Sequence, residues 1–256
     1  NNPVRIFSWS IIFLTFAFLI NNILNFWYDF PGVNKFFANY NIFFENNNEL
    51  TTKEFFKSWI QFLIYIVAII ISFVYVKLYN QVEIKKDSEY LSNFSAYIIR
   101  SCFWGVLIIG VVDMILSFLR VEDFLIPLFG KNLGMDLGRS IFRGTYVHFP
   151  LIIIAFIIGY FTRTLGFFWL AFLVVIAEFQ IVVARFIFSY EQTFMGDLVR
   201  FWYGSLFLFA SSYALIKEGH VRVDILYTNF SEKGKAWSNL LGSLFLGIPI
   251  CATILL

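Results

Sequence analysis

A chain of 256 residues of which 59% are hydrophobic and 14% charged, with a mean hydropathy of +0.75, cannot hide its apolar surface in one water-soluble core and belongs among multispan membrane proteins. A net charge of +2 is too small for a polyanion binder, and no basic run interleaves with aromatics outside the apolar segments, so nucleic-acid binding is excluded. Cys102 and Cys251 lie far apart in apolar runs and read as small hydrophobes, not as a disulfide or a metal pair.

The first apolar run, Phe7 to Trp27, is long enough to cross about 30 Å of hydrocarbon at about 1.5 Å per residue. It is too long for a signal peptide, and no small-residue cleavage site follows it; Asp29, Pro31 and Gly32 end it. The Asn-rich stretch from Asn34 to Leu50 predicts an exposed loop with a short interfacial helix around Phe36 to Phe44. Thr51 with Glu54 three residues on predicts a capping box, opening a second span that runs to about Tyr79. Lys77, Lys85, Lys86 and Arg100 flank the next loop, which the positive-inside rule places in the cytoplasm.

Tyr97 to Leu119 is the third span. From Val121 to Tyr146, Pro127, Gly130, Gly134, Gly138 and Gly144 predict a loop or short interfacial helices. Alternation puts this stretch outside although it carries Arg120, Lys131, Arg139 and Arg143, and Arg143→Ala there is expected to be close to neutral. Pro150 is predicted to open a short fourth span ending near Phe161, at the first helical position. Leu165 to Phe188, Leu198 to Ile216 and Trp237 onward complete about seven spans. The expected fold class is all-α, a polytopic integral membrane helical bundle.

Asp113, Glu178 and Arg185 are ionisable residues inside or near spans, where their cost in hydrocarbon makes them candidates for function. The alternative is structural: Arg185 can snorkel to the interface, and Glu178 can hydrogen-bond a neighbouring helix. The only two histidines, His148 and His220, fall at the ends of different helices on opposite predicted sides, so they cannot supply paired haem ligands. No nucleotide-binding glycine loop occurs. No cofactor, metal site or catalytic residue is assigned.

The most specific signal is the run from Arg200 to Tyr227, RFWYGSLFLFASSYALIKEGHVRVDILY. A spanning segment stops at Lys217 and Gly219, which suit the carbonyl end of a helix, and His220, Arg222 and Asp224 then crowd the headgroup region. In a strand-like segment those three side chains share a face; in a helix only His220 and Asp224 stack. A lipid-headgroup contact, a docking point for a partner subunit and a catalytic site are all open for this cluster.

With Val182-Val183-Ala184-Arg185-Phe186-Ile187-Phe188, the basic loop Tyr227 to Trp237 and the run Leu240 to Pro249, the motif resembles the small membrane subunit (DctQ type) of tripartite ATP-independent periplasmic (TRAP) transporters. The likeness begins near Thr164 and runs to the C-terminus. Asp197 stands where that family opens its second core helix with an acidic residue, more often Glu. The resemblance implies four core helices, of which three are visible; starting at Asn1 and stopping inside the apolar run Thr253 to Leu256, the chain reads as a fragment cut at both ends, truncated before a final helix.

It also implies a non-enzymatic subunit of the bacterial inner membrane whose partners are a large permease subunit (DctM type), a periplasmic substrate-binding protein and membrane phospholipids. In that assembly the large subunit carries an organic anion such as a carboxylate together with sodium, and the small one braces the scaffold. Residues 1–162 would be a transmembrane extension of about four spans and residues 163–256 the small-subunit core. Two other readings remain: an intramembrane enzyme acting on a lipid phosphate through His220, Arg222 and Asp224, and a stand-alone channel lined by Glu178 and Arg185.

Overall fold

In hydrocarbon a backbone must satisfy its own polar groups, and long apolar runs poor in Gly and Pro do so as α-helices. The computed structural model describes residues 2–40, 51–163, 166–216 and 227–255, and among these it contains helices and no strand. Among the described residues six helices are long and apolar enough to cross a membrane: Asn2–Tyr28, Thr52–Leu78, Ile84–Val121, Ser140–Phe161, Phe168–Phe188 and Glu232–Leu255. The protein is therefore a multi-pass membrane protein, with one candidate span fewer than the sequence predicts. A further long helix, Thr193–Ile216, is not among the six; its 24 residues are enough to span, but Asp197, Arg200, Gly204 and Ser205 dilute its apolar character.

The chain forms two compact units, Asn1–Ala96 and Tyr97–Leu256. The division falls inside α4, so residues 97–162 pack with the C-terminal helices, whereas the boundary near Arg163 follows the family resemblance.

In the first unit α1 (Asn2–Tyr28) and α3 (Thr52–Leu78) run antiparallel, as the rungs between them show. Arg5 Nη1 donates to the Tyr79 carbonyl at 2.9 Å, Ser10 and Ser72 share a hydrogen bond of 2.7 Å, and Asn21 Nδ2 donates to the Gln61 carbonyl at 3.3 Å. Small residues between the rungs, Ala17 and Ala68, are buried and let the helices approach, the usual basis of adhesion where lipid gives no hydrophobic drive. The short α2 (Val33–Asn39) lays Phe36 on this pair, 4.3 Å from Phe62 and 5.0 Å from Trp59 between ring centres. It corresponds to the interfacial helix expected from Phe36 onward; residues 41–50 lie outside the described residues. The capping box is present, with the Thr51 amide donating to Glu54 at 3.0 Å.

The second unit is built on α4 (Ile84–Val121), whose 38 residues extend about 57 Å, well beyond the hydrocarbon thickness. The stretch expected to be a loop before Tyr97 is helical from Ile84. Against α4 lies a single span made of α7 (Ser140–Phe142), a π-helical segment (Arg143–His148) and α8 (Phe149–Phe161). The sequence predicted a short span opening at Pro150. The helix opens ten residues earlier because the π turn precedes Pro150, whose missing N–H and ring would otherwise break the i to i−4 ladder.

Ser101 and Gly105 of α4 meet Ala155 and Gly159 of α8, small residues four apart on both helices. A Cβ on Gly159 would lie 2.9 Å from the Ser101 Cα and 2.4 Å from its Oγ. Gly159→Val is therefore expected to force backbone apart and lower the unfolding free energy in SDS-containing mixed micelles by about 1–3 kcal/mol. Gly204→Ala, in α10 with nothing within 4 Å of the new carbon, should leave it unchanged; equal effects from the two would refute the close-packing account.

Further along, Phe103 of α4, Leu170, Val174 and Ala177 of α9 (Phe167–Phe188) and Val199 and Trp202 of α10 (Thr193–Ile216) form the apolar core. Gly110 makes room for Trp202, since a Cβ there would sit 2.3 Å from the indole nitrogen. The expected interfacial helices are α5 (Leu125–Phe129) and α6 (Lys131–Leu137), which fold Leu125 and Leu137 onto Leu116. After a 3-10 turn at Tyr227–Asn229, α11 (Glu232–Gly242), a π segment (Ser243–Gly247) and α12 (Ile248–Leu255) make one helix, capped by Ser231 Oγ accepting from the Gly234 amide at 3.3 Å. None of its spanning window is buried.

Candidate functional site

A carboxylate within a span needs a counter-charge, and for Asp113 the π turn provides it. Residues five apart on an α-helix point about 140° away from each other, but a π turn, with its i to i+5 hydrogen bonds, brings Arg143 and His148 to one face. Both reach the same oxygen: Arg143 Nη1 donates to Asp113 Oδ1 at 2.8 Å and His148 Nε2 lies 3.2 Å from it. Ser117, one turn after Asp113, accepts from Arg143 at 3.4 Å. Arg143 is 8% exposed, and its Nε is buried with no hydrogen-bond partner.

This corrects the sequence expectation that Arg143 stands free in an outer loop. The glycines around it read as breakers, but a neighbouring helix carrying an unpaired Asp113 makes a helical Arg143 favourable. Sequence reasoning also missed His148 and Ser117 as partners. The available signal was a carboxylate within a span, which calls for a cation on a neighbouring helix.

The cluster lines a polar chamber of ≈ 480 Å³ with Gly110, Arg120, Thr193 and Asp197. Gly110, Asp113, Ser117 and Arg120 follow one another at three- and four-residue steps, forming one stripe of α4. A second chamber of ≈ 480 Å³, lined by apolar side chains such as Ile115, Phe118, Ile181 and Ala184, lies beside it. Met114, Phe194 and Leu198 line both. Beside the apolar chamber, which Tyr190 helps to line, the Tyr190 hydroxyl donates to Glu122, and because that hydrogen bond holds the phenolic proton its pKa is raised above the usual tyrosine value.

Glu178 and Arg185 of α9, the candidates for lining a channel, are both exposed. Arg185 pairs with Glu191 in the following turn at 3.3 Å, while the Glu178 carboxylate makes no ion pair among the described residues. Asp197 does not open its helix: α10 begins four residues earlier at Thr193, leaving Asp197 in the second turn, 3.7 Å from Arg200. Gly219, His220, Arg222 and Asp224 lie outside the described residues. Among the described residues no group of three His, Cys, Asp or Glu is placed to hold a metal ion.

No curated protein and no solved structure matches the chain. A family match does exist, and it falls on the helices where the motif residues pointed: residues 171–256, from α9 through α12, match the family Tripartite ATP-independent periplasmic transporters, DctQ component.

Proposed function

We propose that this chain is the small permease subunit of a TRAP transporter in a bacterial inner membrane, with residues 1–162 as an extension and residues 163–256 as the subunit core. It acts as a brace and not as a catalyst. A DctM-type large subunit, served by a periplasmic binding protein, moves an organic anion together with sodium, and this subunit holds the immobile part of that assembly. The observation that carries the reading is the family match over 171–256.

Two features of the same helices support it. Glu178 lies at the middle of the span Phe168–Phe188 and is exposed; a bare carboxylate facing lipid is costly, so a protein surface suits that face better. The helix Glu232–Leu255 likewise presents its length outward. In this reading His220, Arg222 and Asp224 form the cytoplasmic contact to the partner or to lipid phosphate.

The test is reconstitution in vesicles with an inward sodium gradient. Uptake of the organic anion is expected only when this chain, the large subunit and the binding protein are all present. Sodium-driven uptake by this chain alone would overturn the assignment.

A further inference from the structure

The two adjoining chambers of the second unit differ sharply in character and share a wall. We propose that together they hold one phospholipid of a single leaflet, with its phosphate in the chamber of Arg120 and Arg143 and an acyl chain in the apolar groove between α4 and α9. The inference rests on the geometry of residues 97–198 and does not depend on the transporter assignment.

Charge selects an anion for the polar chamber. Asp113 is already neutralised by Arg143, and Asp197 faces Arg200. Arg120 has no carboxylate partner among the described residues, and Arg143 keeps a buried, unpartnered Nε. Thr193 and Phe194, at the N-terminal turn of the 24-residue α10, also line this chamber, where free amides and the helix dipole favour negative charge.

Depth selects a lipid over a free anion. Arg120 sits in the last turn of α4, at the level where a span meets headgroups. The apolar groove reaches from Tyr190 and Phe188 down to Ala177, eleven residues or about 16 Å along the helix, which is about half of a 30 Å hydrocarbon core and so one leaflet. A soluble phosphate would leave that groove empty.

The experiment uses the full chain in a neutral detergent, delipidated, with bound lipid read by native mass spectrometry and stability read by thermal melting. Phosphatidylglycerol is expected to bind saturably and raise the melting temperature, whereas diacylglycerol, which lacks the phosphate, and inorganic phosphate should each do so at least about tenfold more weakly, as loss of a charge-assisted hydrogen bond implies. Arg120→Gln, at an exposed position where folding is not at risk, should weaken phosphatidylglycerol binding by about tenfold. Ala184→Trp should fill the groove and weaken it comparably, and Arg185→Gln, outside both chambers, should leave it unchanged. Binding unaltered in Arg120→Gln and Ala184→Trp overturns the proposal. Inorganic phosphate competing as well as the lipid overturns it in favour of a free-anion site, and non-saturable lipid retention overturns it in favour of a general lipid coat.

Discussion

Arg5→Ala is expected to be the most damaging single change in the first unit, lowering the unfolding free energy in SDS-containing mixed micelles by about 3–5 kcal/mol. Arg5 and Asp87 have side chains only 1% and 8% exposed, with Nε and Oδ2 2.6 Å apart. The same guanidinium donates to the Tyr79 carbonyl at 2.9 Å, at the C-terminal end of α3 where a cation suits the helix dipole. Asp87 stands in the first turn of α4, where an anion is favoured for the same reason. Removing Arg5 leaves both groups buried and unmatched. Arg5→Lys keeps the charge but cannot reproduce the fork, so it should fall between Ala and the unchanged protein. The double change Arg5→Met with Asp87→Leu should recover most of the loss, since apolar replacement of a whole buried pair is often neutral. A loss under about 1 kcal/mol for Arg5→Ala, the range of an exposed pair, would show that this pair does not hold the unit together.

Arg143→Ala is expected to cost about 2–4 kcal/mol in the same assay, somewhat below the fully buried case, because the Asp113 side chain is 38% exposed towards the chamber. The sequence expectation of a neutral change is thereby reversed. His148→Ala should cost less, about 0.5–1.5 kcal/mol, because Arg143 still covers the same carboxylate oxygen. Combining Arg143→Ala with Asp113→Ala should be milder than the sum of the single changes by about 0.5–3 kcal/mol. Additive losses would mean that the two side chains act independently, against the 2.8 Å contact.

The contrast between these two pairs shows what a sequence reveals in a membrane protein. Residue order alone determined the all-helical, multi-pass class, the spans α1 and α3 and the capping box at Thr51 and Glu54, because each rests on composition or on contacts within a few residues. A likeness to one family was legible as well: the Val182 to Phe188 pattern and the Gly219 to Asp224 motif lie within the residues that the match over 171–256 covers. Asp113 was singled out because a charge in hydrocarbon is conspicuous wherever it lies.

Its partners were not legible. Whether the Gly-rich stretch before Pro150 is loop or helix depends on a π turn that lets Arg143 and His148 face α4, and helix breaking is judged locally while an ion pair is made across 30 residues of chain. Arg5 and Asp87 are 82 residues apart, and on sequence they are two ordinary charges near helix ends. Only the tertiary structure could join them, because the energy of a buried pair depends on which two side chains lose water together. The adjoining polar and apolar chambers were decided in the same way, since they exist only where α4, the π turn, α9 and α10 converge.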